Sequence, residues 1–171
     1  MADTLGEERQ IATEEILFVP GGGKDQLPAS LTALTALDVS AFTITDFDTL
    51  YSPKYIETLL NAKGIEYEEL VKKAQILHKL LENDGKVQQA KQFGLTGVPA
   101  GTATTMAMSM ISKLREYKIL IVPTGELESF DRTIGGHGPS WVSTALNNKS
   151  HETNDDAKVL MKPVVNSLAN L

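Results

Sequence analysis

An α/β fold, a mainly parallel sheet flanked by helices with a helical insertion, is the class this sequence predicts. Three observations carry it. Short β-prone runs at 15–19, Ala41–Thr45 and Ile119–Val122 are separated by segments whose apolar residues recur every three to four positions. A glycine-rich turn follows the first run, and acidic pairs follow the other two.

The first run, Glu15-Ile16-Leu17-Phe18-Val19, reads as a buried strand stopped by Pro20 and the glycines Gly21, Gly22 and Gly23. Leu27, Leu31, Leu34 and Leu37 then mark an amphipathic helix that Pro28 opens as an early position. With the strand at Ala41–Thr45 this makes a βαβ unit whose crossover is expected to be right-handed. Pro53 starts a second helix, with Tyr55, Ile56, Leu59 and Leu60 on one face and Gly64 as its stop signal. A third carries Leu70, Val71, Ala74, Leu77, Leu80 and Leu81 and runs to Asp84-Gly85.

Lys86 to Phe93 predicts a short helix, and Thr102 to Tyr117 a longer one leading into the Ile119–Val122 strand. Met106, Met108 and Met110 fall in that helix, where packing is the expected role rather than a cofactor box. After the flexible stretch Ile134 to Pro139 comes a helix start with Trp141, Val142, Ala145 and Leu146. Asn147 to Asp156 reads as a polar linker, and Ala157, Leu160, Met161, Val164, Val165 and Leu168 as a final helix docking one apolar face.

Composition narrows the function. With 171 residues, 42% of them hydrophobic, the chain can build one globular core. The expected division is an acidic tail at 1–13 and one domain at 14–171. There are no cysteines, which removes disulfides and thiolate zinc sites. No apolar run approaches the roughly 20 residues that span a bilayer, and the acidic N-terminus lacks a signal peptide's basic start. A cytoplasmic protein with no membrane partner is the expectation. Of the net charge of -6, residues 1–15 carry -4, so the body is nearly neutral. A basic face of the kind that gives nucleic-acid binders their affinity is not obvious. The best candidate, Lys86, Lys91, Lys113, Arg115 and Lys118, is also what the solvated side of two helices looks like.

The acids carry the chemistry. Asp46 and Asp48 stand one residue apart at the end of a β run, where alternating side chains project to the same side. Glu126 and Glu128 repeat the arrangement after the second run and the turn Pro123-Thr124-Gly125. If the two runs are parallel neighbours, four carboxylates meet at the carboxyl edge of the sheet, where open α/β folds place ligands. Oxygen donors of that kind suit Mg2+ or Mn2+, and gathered acids repel one another without a cation.

Gly21-Gly22-Gly23-Lys24 offers free amides and a lysine to a phosphate, or simply a sharp turn. It lacks Walker A spacing, and Asp25 follows the lysine instead of a hydroxyl residue. His137, between glycines on the loop after the glutamates, is a candidate for phosphate contact or proton transfer. His78 lies among helix leucines and His151 in the polar linker. No Ser-His-Asp or His-Glu-x-x-His pattern is present.

Taken in order, Gly22-Gly23-Lys24-Asp25, Asp46-Phe47-Asp48, Gly125-Glu126-Leu127-Glu128 and His137-Gly138-Pro139-Ser140-Trp141 resemble the Toprim (topoisomerase-primase) domain. They resemble most closely that of the overcoming-lysogenization-defect (OLD) family of ATP-dependent endonucleases, over roughly residues 14–170. The resemblance implies a Rossmann-like Toprim catalytic domain and metal-dependent hydrolysis of DNA with two Mg2+ or Mn2+ ions. It also implies a role in phage defence or DNA processing, and a partner ATPase of the ABC/SMC type not contained in this chain. Homo-oligomers are a further expectation.

Carried over, Asp46, Asp48, Glu126 and Glu128 become metal ligands, with Lys24 and His137 beside the phosphate. The family places a glutamate at the end of its first strand, where this chain has Pro20; Asp25 takes that place as a metal ligand only if the glycine loop folds back toward Asp46. The family's late lysine would fall on Lys162. The loss of the first-strand glutamate keeps a non-catalytic Toprim scaffold that binds an ATPase as the alternative. Another magnesium-dependent phosphoryl-transfer enzyme acting on a nucleotide is a third possibility.

Overall fold

A computed structural model describes residues 21–168 together with Leu17 and Val19. Leu17 and Val19 are exposed and outside regular structure. The rest of the expected first strand, Pro20 and the acidic tail lie outside the described residues, and with them the first half of the expected βαβ unit.

Helix α1 (Leu27–Ala36) has Pro28 in its first turn and buries Leu31. The strand β1 is only three residues long, Thr43–Thr45. Three helices follow: α2 (Pro53–Ala62), α3 (Glu68–Asn83) and α4 (Val87–Phe93). Helix α5 (Thr102–Glu116) leads into β2 (Ile119–Ile121), and α6 (Pro139–Asn147), α7 (Ser150–Thr153) and α8 (Asp155–Leu168) complete the order. The described chain is thus mostly helical around a two-stranded parallel sheet, a coarse α/β arrangement, and the mainly parallel larger sheet reduces to β1 and β2 among the described residues.

Alternation along β2 explains why so short a sheet is stable. Ile119 and Ile121 belong to a core with Phe47, Leu50, Ile56, Leu59, Leu77 and Met110, from the helices between the strands. Leu120 and Val122 belong to a second core with Phe130, Trp141, Leu160, Met161 and Val165. Successive strand residues point to opposite faces, so a strand buried on both sides must be apolar throughout. All three β2 residues are buried. In the parallel register Thr43 pairs with Ile119 and Thr45 with Ile121, which directs both threonines to the first core.

The expected helix faces agree with the buried residues of α2 and α3. Three features depart from expectation. Leu37 is 73% exposed, because α1 ends one residue earlier. The methionines divide: Met110 is fully buried, Met106 packs at the core edge and Met108 is exposed. The polar stretch before α8 is tied down rather than a free linker. It contains α7, Asn154 caps α8 by accepting from the Ala157 amide at 2.8 Å, and its own amide group donates to the Phe130 carbonyl at 2.6 Å.

Candidate functional site

Both acidic pairs are built the same way, and not as alternating strand residues. β1 stops at Thr45; Asp46 is extended (ψ 161°) and Asp48 lies within a five-residue 3-10 helix, Phe47–Tyr51. After β2, Glu126 is likewise extended (ψ 164°), and Glu128 lies within the 3-10 helix Leu127–Phe130. Each pair therefore straddles a change from extended to helical backbone, which corrects the extended geometry expected for it.

Hydrogen bonds stitch the two turns together. The Val122 amide donates to Thr45 at 2.9 Å, and the Phe47 amide donates to Gly125 at 2.8 Å. Gly125 has φ +115°, and a Cβ there would stand 2.6 Å from the Lys91 carbonyl oxygen. Gly94 meets the same turn from the other side, where a Cβ would fall 2.0 Å from the Pro123 oxygen. Backbone packed this closely leaves room only for glycine, and it fixes Glu126 against the end of α4.

The four carboxylates share one electrostatic neighbourhood. Burial pushes the Asp46 carboxyl above its ordinary range, and Asp48, Glu126 and Glu128 push it further, against the pull of Lys24. The Asp46 carboxylate has no hydrogen-bond or ion-pair partner among the described residues, while its backbone carbonyl accepts from the Thr49 amide at 3.2 Å. The other three are engaged. Lys24 pairs with Asp48 at 2.5 Å, Lys91 lies 3.5 Å from Glu126, and Glu128 accepts from the Gly138 amide at 2.9 Å at the start of α6. Among the described residues no three acid or histidine side chains stand arranged to enclose a metal ion.

The glycine loop folds back on this edge. Lys24 reaches Asp48 and lies 5.5 Å from the Tyr55 ring, and the charges of Asp48, Asp46 and Asp25, after burial, raise the Tyr55 phenol. Asp25 itself is exposed. The carbonyl of Gly23 accepts from the Gln26 and Leu27 amides, so the loop also serves as the entry turn of α1. His137 is exposed next to Gly138, and its ring has no hydrogen bond among the described residues. Lys162 is exposed on α8 and makes no ion pair among the described residues.

Two neighbours of the acids were not legible as site residues. Lys91 read as part of a solvated helix face. Tyr51 carries no motif; it is 7% exposed, its hydroxyl has no hydrogen-bond partner among the described residues, and burial together with Asp48 and Glu126 raises its phenol strongly. Lys86 stands at the N-cap of α4 and Lys91 within it, while Lys113 and Arg115 lie in the last turn of α5, so the basic candidates are divided between elements.

Comparison with known protein families, with curated proteins and with solved structures finds no match to this chain. Among the described residues no helix is long and apolar enough to cross a membrane.

Proposed function

We propose that the protein is a Toprim-type domain of OLD character, a divalent-metal-dependent phosphodiester hydrolase acting on DNA as partner of an ABC/SMC-type ATPase. The observation that carries this reading is the meeting of two acid-x-acid turns at the carboxyl ends of adjacent parallel strands. The ordered sequence motifs are its second support.

The donor set fits Mg2+ or Mn2+, because it is all carboxylate oxygen and the Asp46 carboxylate is held among like charges without a partner among the described residues. Asp46, Asp48, Glu126 and Glu128 are the residues that would hold the ion or ions. Bound there, the metal would supply Lewis acidity that lowers the pKa of an attacking water. Lys24, at the rim, would neutralise charge on the scissile phosphate, and His137 stands on the loop nearest Glu128 for the same purpose or for proton transfer to the leaving oxygen.

A specific observation favours the non-catalytic scaffold as the second reading. Lys24 and Lys91 already offset Asp48 and Glu126. Manganese titration separates the two readings. A native-state ligand at one hundred times its Kd adds about 2.7 kcal/mol to stability, so the nuclease reading expects a rise of several degrees in Tm, together with nicking of supercoiled DNA that Asp46→Ala abolishes. Nicking that survives Asp46→Ala refutes the assignment; an unmoved Tm with no nicking leaves the scaffold.

A further inference from the structure

We propose that Arg132, held over the Phe93 ring at the end of α4, binds a phosphate of the DNA backbone beside the glutamate turn. The inference rests on the hydrolytic reading above and adds to it the residue that seats the strand on the Glu126 side of the acid edge.

The backbone launches Arg132 from a fixed point. Phe130 is buried in the second core, and the Trp141 indole donates to the Asp131 carbonyl at 3.3 Å. The Asp131 carboxylate accepts from the hydroxyls of Ser150 and Thr133. The acid next to Arg132 in the chain is therefore engaged elsewhere.

The side chain is placed as firmly. Nη2 donates to the Gln92 carbonyl at 2.9 Å and to that of Thr124 at 3.4 Å, and the guanidinium carbon stands 4.8 Å from the centre of the Phe93 ring. These contacts span the junction at which Gly125 packs on the Lys91 and Gln92 oxygens, so the guanidinium marks the point where α4 meets the chain entering Glu126. Capping the last carbonyls of α4 takes Nη2 alone. The N–H groups of Nη1 and Nε have no protein partner among the described residues, and Arg132 makes no ion pair among them.

Charge decides the ligand. Lys24 and Lys91 each sit on a carboxylate, Asp48 or Glu126, whereas Arg132 is exposed with its charge uncommitted. Phe93, 39% exposed, gives the cation an aromatic face that fixes its plane without consuming a donor. What remains is a set of charged N–H donors in fixed directions at the rim of the acid edge. An anionic phosphate oxygen is the acceptor they suit.

The test uses the full chain with Arg132→Gln, Arg132→Lys and Phe93→Leu. Fluorescence anisotropy follows binding of a fluorescein-labelled DNA duplex across salt concentrations, with EDTA present so that binding is read apart from cleavage. Arg132→Gln is expected to weaken binding about tenfold at low salt and to lower the slope of log affinity against log salt by about one unit. Arg132→Lys should restore the slope and only part of the affinity, because the charge returns without the planar group. Phe93→Leu should keep the slope and lose about threefold in affinity. A lowered Tm with wild-type affinity and slope in Arg132→Gln would show a structural tie alone and overturns the proposal. Should Arg132→Gln fail to fold, unchanged affinity in Phe93→Leu and Arg132→Lys overturns it instead.

Manganese-dependent nicking separates this proposal from the reading beneath it. Nicking with wild-type KM in Arg132→Gln refutes the phosphate contact and leaves the hydrolase. Binding that falls as expected, with no nicking by the wild type, refutes the hydrolase and leaves the contact. A wild type that neither binds nor nicks DNA refutes both.

Discussion

The Phe47 amide donates to the Gly125 carbonyl across 2.8 Å, a bond that lies between Asp46 and Asp48 on one turn and directly before Glu126 on the other. It makes the spacing of the two acidic pairs a property of the backbone. Gly125→Ala tests this, since a Cβ would sit 2.6 Å from the Lys91 oxygen and 2.8 Å from that of Gln92, at a φ of +115°. Displacing backbone from backbone at such a position should cost about 2–4 kcal/mol and erase any manganese response. Urea unfolding measures the first part, and a loss below about 1 kcal/mol would show that the turns are not locked.

The middle residues of the two pairs should behave unequally. Phe47 is fully buried in the first core, whereas Leu127 is 37% exposed. Phe47→Ala is expected to cost about 3–5 kcal/mol and Leu127→Ala less than about 1 kcal/mol. The aspartate turn is then the rigid half of the site and the glutamate turn the adaptable half. Equal losses in parallel denaturation curves would contradict that division.

Asp46 predicts a stability gain. Its carboxyl is held above the ordinary 3.8 by burial and by the neighbouring acids, so the folded state binds the proton more tightly than the unfolded chain. Unfolding free energy therefore falls as pH rises from the ordinary value through the raised one. Asp46→Asn should be more stable than wild type at neutral pH, because the amide removes the charge that burial and the neighbouring acids disfavour. The gain should disappear below the unfolded carboxyl's own titration. A variant less stable than wild type at pH 7 without metal would mean that the carboxylate has a favourable partner.

The helices from α2 to α5 were legible because their cores are local and periodic: Leu59 and Leu60, or Leu77 and Leu81, declare a buried face without knowledge of what covers it. The acid-x-acid recurrence was legible as a pattern, but its backbone was not. The residues after each strand are drawn into 3-10 turns by Phe47, Leu50 and Phe130 entering the cores, a tertiary effect that alternation in sequence cannot express. Tyr51 and Lys91 were illegible for the same reason. One joins the site through burial and the other through an ion pair 35 residues away in sequence, from Lys91 to Glu126. Asn154 read as linker because capping depends on where Phe130 and Ala157 lie in space.

Lys24 and Lys91 hold the place of cations at the acid edge, and that fixes the sign of the last prediction. Each lysine lies on a single carboxylate, Asp48 or Glu126, and each pair is partly solvent-exposed, so each contributes about 0–1 kcal/mol. A metal drawing in those carboxylates must displace the lysines. Lys24→Met and Lys91→Met should therefore tighten manganese binding, each by about threefold, an amount within that range. The same substitutions remove positive charge from the rim and should weaken DNA binding and flatten its dependence on salt, since each phosphate contact contributes about one unit of slope. Calorimetry with manganese and DNA binding at several salt concentrations check the two halves. Weaker manganese binding in both variants would mean that the lysines organise the carboxylates for the ion instead of competing with it.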